Sequence, residues 1–460
     1  MGFRFWWFVW VVVVMNGMMV GVGGSTGSAM ASVMRPEMGF AMWSFVMRLG
    51  SMLMLDGYPF YANGWNSYWL MVAGSEESTR PRVDEILRDG AALGLTVCRT
   101  WAFNDGSYQA LQMSPGSYDE QVFQALDYVI YQAEQNGVRL LLTLVNNWED
   151  YGGKAQYVTW AKAEGENVED ADDFFTNSKC REYYKNHVKA VLTRVNTITQ
   201  MEYRDDPTIF GWELINEPQC TSDPSGEKLK AWVGEMAMYV KSLDRKHLLT
   251  VGTEGFYASD SEGRSSSNPS GYFGTVGTDF IRDHDSPWID FATAHAYPDA
   301  WLSPDTSVDE KLEFFHNWVE AHTEDAQKLL RMPLLFTEFG LSDKKPGFSE
   351  DKRDAFYSVV YDQVYQSAQN NQGALAGAFQ WQLLPPEMSH WDDGYAIIPT
   401  SSSSTCNIIS LQSQRLNSLY KPVCGIDMGS YMLEGVYENM TSPHRHIIPN
   451  LFEEGFNYIN

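Results

Sequence analysis

Cysteine is scarce in this sequence of 460 residues: five in all, at Cys98, Cys180, Cys220, Cys406 and Cys424. No two stand in a CxxC spacing, which excludes a zinc ribbon or dithiol redox motif, and five are too few for a disulfide scaffold. One or two bridges are permitted, the odd number leaves at least one thiol over, and the set reads as structural. Basic residues are also few, 33 Lys plus Arg against 59 Asp plus Glu, a formal net charge of −26. Nucleic acid is therefore excluded as a partner, because a polyanion needs a basic face that releases counterions. Beyond residue 31 no apolar run approaches the ~20 residues needed to span a bilayer. A G-x-G-x-x-G turn after the first strand is lacking, as is any His or Cys cluster with metal-ligand spacing, so neither dinucleotide nor metal is expected and no cofactor is implied.

What is present describes a folded chain: 44% hydrophobic and 20% charged residues exclude a disordered or fibrous class. Aromatics reach 14%, with 16 Trp. That exceeds what a core of this size needs and places some rings on a binding surface.

The amino terminus reads as an export signal. Arg4 precedes a bulky apolar run over residues 5–15, and small residues lead to Ala29-Met30-Ala31, an A-x-A cleavage pattern. Residues 1–31 are taken as the signal, cleaved after Ala31. The alternative is an uncleaved anchor, which Asn16 and several glycines oppose by breaking a spanning helix. One N-glycosylation sequon, Asn439-Met440-Thr441, lies near the other end.

Between these ends, short apolar runs alternate with segments of helical period, as repeated βα units require. Strands are expected at 60–65, 96–101, 139–145, 209–217, 247–253, 290–297, 333–339 and 374–382. Val122, Ala125, Leu126, Val129, Ile130 and Ala133 share one helix face, with Gly137 placed to cap it. Val83, Ile86, Leu87 and Leu93 repeat the pattern before Gly94. Eight units with right-handed crossovers close as a (β/α)8 TIM barrel, favoured over an open doubly wound sheet. Residues 32–419 then form one domain, opening with a Met-rich segment (32–58) expected as a hairpin plugging the barrel bottom. A flexible loop is expected at Ser401 to Ser404 and a helix at 408–419. Residues 420–460 lose periodicity and form an irregular tail of no assigned role.

In such a barrel, chemistry sits at the carboxyl ends of the strands. The fourth strand ends in Asn216-Glu217-Pro218 and the seventh in Thr337-Glu338-Phe339-Gly340. Singly, either acid has a structural explanation, as a partner for Arg99 or a backbone turn. Together with Arg99, Asn216, His295 and Tyr297 at other strand ends, they point to a site. A turn at Pro218 is expected to bring Asn216 and Glu217 to the pocket. Two carboxyls facing across a cleft suit glycosidic cleavage. Trp101, Trp148, Trp381 and Tyr297, all at predicted strand ends, would stack on sugar faces.

These segments resemble glycoside hydrolase family 5. Within it, Asn63-Gly64-Trp65-Asn66-Ser67-Tyr68-Trp69, Val145-Asn146-Asn147-Trp148-Glu149-Asp150-Tyr151-Gly152-Gly153 and Trp391-Asp392-Asp393-Gly394-Tyr395 look like the plant endo-β-1,4-mannanases, over roughly residues 56–419. The resemblance implies a secreted, retaining endo-hydrolase of mannan, glucomannan and galactomannan, acting in the extracellular space or cell wall. By it Glu217 is the general acid/base and Glu338 the nucleophile. Arg99 and Tyr297 would hold Glu338 ionised, burial and repulsion from Glu338 would raise the pKa of Glu217, and Asn216 would meet the sugar 2-hydroxyl. His295, like Arg99, is counted among the substrate-binding residues, a metal being excluded because no ligand cluster accompanies it. Trp101, Trp148, Tyr297 and Trp381 would line the substrate cleft. A cellulase or mannan transglycosylase on the same barrel, and a non-catalytic wall-binding protein, are the alternatives.

Overall fold

The apolar runs fold as parallel strands because βα crossovers cover both faces of the sheet they form. The computed structural model describes residues 44–419 apart from 107, 371–372 and 400–402. Its barrel strands are β1 (Ala62–Asn66), β2 (Val97–Trp101), β3 (Arg139–Thr143), β4 (Ile209–Glu213), β5 (Leu248–Thr250), β6 (Ala292–Ala296), β7 (Leu334–Phe339) and β8 (Leu375–Gln380). All their residues are buried. The ladder runs β5-β4-β3-β2-β1-β8-β7-β6. Its two ends are joined where Asp290 N–H donates to Leu249 O and Thr250 Oγ1 donates to Phe291 O, each 2.8 Å. The sheet is therefore closed, which sets aside the open alternative and leaves no exposed strand edge.

The expected helix faces are buried: Val122, Ala125, Leu126, Val129, Ile130 and Ala133 point inward from the helix Glu120–Gln135. Asp119 caps its start by accepting from Gln121 N–H, and Gly137 ends it at φ 71°, a conformation Cβ disfavours. Helix Arg80–Ala92 buries Val83, Ile86 and Leu87 in the same way.

At the amino ends of the strands, Met47–Leu49 pairs antiparallel with Met52–Leu55, which pairs with Tyr58–Pro59. Val46, Leu53 and Phe60 from this hairpin pack into one cluster with Ala62, Val97, Leu141, Phe210, Leu248, Phe291, Leu335, Ala376 and Phe379. The plug expected for the bottom is thus present over the described part of the Met-rich segment.

Two expectations shift. Ser404 begins the helix Ser404–Asn417 instead of ending a loop, because the Ser403 hydroxyl accepts from Cys406 N–H and caps it. That helix packs on Glu350–Gln369 through Arg415–Asp362 and Thr405–Asp354 contacts, each 2.6 Å. Strand β4 stops at Glu213, four residues short of the expected end. Cys98, Cys180, Cys220 and Cys406 are buried, unpaired thiols. The signal, the tail, Cys424 and the sequon lie outside the described residues.

Candidate active site

After Glu213 the chain keeps its hydrogen bonds while changing direction. Leu214 and Ile215 donate to Thr250 and Val251, Asn216 switches to Val145, and Glu217 donates to Gly252. Glu217 itself takes φ 49°, an uncommon conformation for a residue with a Cβ. The turn that presents both side chains is therefore at Glu217, one residue before the expected Pro218.

Beneath them, Arg99 on β2 is fully buried and ties four segments together. Its Nη2 donates to Glu213 Oε1 (2.6 Å) and Asn216 Oδ1 (2.7 Å), and its Nη1 to Glu338 Oε1 (2.5 Å) and Asn66 Oδ1 (3.0 Å). A planar guanidinium with five donors can do this; a lysine cannot. The sequence reading placed Arg99 beside Glu338 but assigned nothing to Glu213, its closest carboxylate with respect to shared bonds. Glu213 also accepts from Thr143 Oγ1, so the buried pair is well saturated.

Glu338, at the end of β7, accepts from the Tyr297 hydroxyl at 2.6 Å as well as from Arg99. Glu217 accepts from Trp148 Nε1 at 2.7 Å, and His295 Nδ1 lies 2.7 Å from its other oxygen. Burial pushes both carboxyls above the usual range. At Glu217 the Trp148 N–H and Arg99 oppose it; at Glu338 His295, Arg99 and Tyr297 oppose it while Glu217 adds to the rise. The upward direction at Glu217 matches the sequence expectation. Repulsion between the two acids is mutual, and burial lifts the Glu338 carboxyl as well. Burial lowers His295 to about 4, so its ring is neutral above that pH.

A cluster of ligand-type groups does accompany His295, contrary to the expectation from sequence. Ligand atoms of Glu217, His295 and Glu338 lie within 4.8 Å of one another. They come from the ends of three strands, so no local spacing reveals them. These three could hold a cation, but Arg99, bonded to Glu338, already supplies positive charge there and opposes a second.

The carboxyls open into a cleft of ≈ 460 Å³ whose walls include Tyr68, Trp101, Trp148, Tyr297, Trp301 and Trp381. Trp148 is 41% exposed. Trp381 is fixed by donation from Nε1 to Asp393 (2.6 Å) and by Tyr68 lying parallel to it at 5.3 Å. Trp101, expected as a platform, is only 4% exposed and carries Arg99 over its ring at 4.8 Å, so it backs the site more than it faces solvent. Asn216 is 5% exposed; its Oδ1 is taken by Arg99 and its Nδ2 donates to Asn146 at 3.0 Å, which leaves one amide hydrogen toward the cleft.

The structure thus brings together all nine residues singled out from the sequence. It adds Glu254, which follows β5, lines the same cleft and accepts from Gln219 Nε2 at 2.7 Å. Burial, aided by Glu217, pushes this third carboxyl well above its ordinary value. An acid after a strand was the very signal applied to Glu217 and Glu338, and Glu254 carries it too.

A closed (β/α)8 barrel with two facing carboxyls under aromatic walls defines the class of barrel glycosidases. The family described as GH family 5 beta-mannosidase-like matches residues 43–384, and the chain belongs to it. It is 49% identical over 377 residues to mannan endo-1,4-beta-mannosidase 7 of Arabidopsis thaliana, covering 82% of this chain and 86% of that one. Mannan endo-1,4-beta-mannosidase 2 of Oryza sativa subsp. japonica is 51% identical over 397 residues, 86% of each chain. Among solved structures, the endo-1,4-beta-mannanase of Rhizomucor miehei superposes with a TM-score of 0.66 at 32% identity, covering 82% of this chain and 99% of that one.

Proposed function

We propose that this chain is a secreted, retaining endo-hydrolase of β-1,4-mannosidic linkages in mannan, glucomannan and galactomannan. The observation that carries the reading is the approach of Glu217 and Glu338, with ligand oxygens within 4.8 Å of each other. Double displacement uses carboxyls about 5–5.5 Å apart, whereas inversion leaves roughly 6.5–9.5 Å for a water.

Glu338, bonded directly to the permanently charged Arg99, is the anion of the pair and attacks the anomeric carbon. Glu217, whose bonded partners are neutral, holds the proton and passes it to the departing glycosidic oxygen. A covalent α-mannosyl ester forms on Glu338. Its formation removes the Glu338 charge, Glu217 becomes the base, and a water it deprotonates attacks the same carbon, releasing the β-sugar and free Glu338. The Asn216 amide hydrogen suits the 2-hydroxyl, and Trp381, Trp148 and Tyr297 suit the sugar faces.

Export is supported by the residue 1–31 pattern, and among the described residues no helix is long and apolar enough to cross a membrane. N-terminal sequencing of secreted protein should begin at Ser32; an intact Met1 would contradict it. The activity is tested by reducing-end release from mannan, glucomannan, galactomannan and carboxymethylcellulose. Release from the first three and not the last is expected. Equal release from cellulose would overturn the specificity, and products longer than a starting oligomannoside would assign transglycosylation instead.

A further inference from the structure

The loop after β3 grips the chain around Glu217 at three points. Trp148 Nε1 bonds the Glu217 carboxyl itself, at 2.7 Å. Two residues on, both backbone groups of Gln219 are taken by side chains of the same loop. The Gln219 N–H donates to Asn147 Oδ1 at 3.0 Å, and the Gln219 carbonyl accepts from Lys154 Nζ at 2.7 Å. Lys154 comes within reach because the loop folds back on itself. The Lys154 N–H donates to Asn146 O at 2.8 Å, and Gly153, at φ 53°, passes so near Trp148 that a Cβ there would stand 1.9 Å from the Trp148 carbonyl oxygen.

Lysine is a costly residue to place here. The Lys154 side chain is buried, and an ammonium taken out of water needs a partner. That partner is Asp172, also buried, whose Oδ1 lies 2.6 Å from Nζ. Asp172 turns its other oxygen to the same strip of chain, accepting from Ser222 N–H at 2.8 Å and from Thr221 Oγ1 at 3.3 Å. Among the described residues, the bonds the two side chains make beyond each other thus fall on Gln219, Thr221 and Ser222. A buried ion pair gives little net stability over an apolar pair of similar volume; what this one adds is a fixed place for the segment just past Glu217. That segment needs fixing. A side chain in the left-handed conformation of Glu217 stays there only where its surroundings determine the backbone. Glu217 N–H is tied to Gly252 O on one side of the turn. On the other, Pro218 has no N–H to offer, so the anchors fall on Gln219.

We propose that Lys154, set by Asp172, is a positioning residue for Glu217: it anchors the carbonyl two residues past the left-handed turn and so aims the carboxyl at the oxygen of the bond being cut. The proposal rests on the reading of Glu217 as acid/base above. Lys154 lines no part of the cleft, and Glu338 stands on a separate strand, β7. Loosening the turn therefore impairs proton donation and leaves nucleophilic attack in place.

Leaving-group dependence separates those two. A 2,4-dinitrophenolate departs without a proton, whereas an unsubstituted phenolate needs one. The test is kcat/KM, which reports the steps up to aglycone release, on phenyl and 2,4-dinitrophenyl β-mannobiosides. It is measured for the full chain as wild type, Lys154→Met, Lys154→Met with Asp172→Asn, and Glu217→Gln. The double variant removes both charges, leaves no buried ion unpaired and keeps an acceptor for Ser222 N–H, so it decides the matter where the single variant does not fold. In the Lys154 variants the phenyl value is expected to fall about a hundredfold while the dinitrophenyl value holds within about threefold. Glu217→Gln should show a larger split of the same kind. A dinitrophenyl-to-phenyl ratio within about threefold of wild type in the folded Lys154 variants, beside a split in Glu217→Gln, would overturn the positioning role and leave the acid/base reading standing. No split in Glu217→Gln would overturn that reading, and this proposal with it.

Discussion

The two ends of the barrel are made by the same eight strands and are chemically opposite. At the amino ends Val97, Leu141, Phe210, Phe291 and Leu335 meet Val46, Leu53 and Phe60 of the hairpin in a cluster made wholly of apolar side chains. At the carboxyl ends the same strands deliver Arg99, Glu213, His295 and Glu338 into a network of charges and hydrogen bonds. Strand β7 shows the change within four residues, from Leu335 in the plug to Glu338 in the cleft. Apolar packing at one end provides the stability with which the other end holds buried charges and the left-handed turn at Glu217. Activity and stability should therefore separate along the barrel axis.

The largest break should come from the top. Glu338→Ala and Glu217→Gln are each expected to lower turnover on mannan by about 10⁴-fold or more while substrate binding and thermal unfolding change little, because each removes contacts made in the transition state. Normal hydrolysis by both would refute the assigned roles. Arg99→Lys should break the separation itself. A point charge cannot reproduce the fork, so Glu213, Asn66 and Asn216 lose partners, and roughly 3–5 kcal/mol of stability should go along with most activity. Unfolding in denaturant, read beside turnover, checks this, and a loss confined to activity would contradict it.

Phe210→Ala probes the bottom. It should cost roughly 3–5 kcal/mol of stability through a cavity in the plug while the folded fraction keeps the wild-type kcat. A drop in kcat of the folded enzyme would show that the ends are coupled. A pH-dependent effect concerns Asp105, which burial pushes up to about 8, with Gln112 and Tyr157 opposing. A carboxyl whose folded pKa lies above its unfolded value contributes stability below the unfolded value of about 3.9 and loses it as pH rises toward 8. Asp105→Asn does not titrate. Its unfolding midpoint should move upward relative to wild type as pH rises from 4 to 8, and a pH-independent difference would contradict the cause.

Much of this contrast can be read from residues alone, and where reading fails the reason is distance in the chain. Strands buried on both faces are continuous apolar runs, so all eight were visible within a few residues. The end of β4 was misplaced because the hydrogen bonds of Leu214 to Glu217 continue past the regular ladder, and the left-handed residue is Glu217, a side chain not expected in that conformation. Arg99 was visible as a strand-end cation, but its pairing with Glu213 spans 114 positions and leaves no local spacing to detect. The approach of His295 to both acids was hidden for the same reason. Trp101 and Trp148 look alike as tryptophans following apolar runs, yet Arg99 covers the first and solvent reaches the second. Glu254 needed no structure to be seen, only the strand-end criterion applied to the fifth strand.

The most direct measurement is the product formed when azide is supplied with an activated aryl β-mannoside to Glu338→Ala and, separately, to Glu217→Ala. With Glu338 as nucleophile, azide takes its place in the first variant and yields the α-mannosyl azide. With Glu217 as acid/base, azide intercepts the covalent ester in the second and yields the β-mannosyl azide. The opposite pairing of anomers would exchange the two roles, and no azide product from either variant would contradict double displacement at this pair of carboxyls.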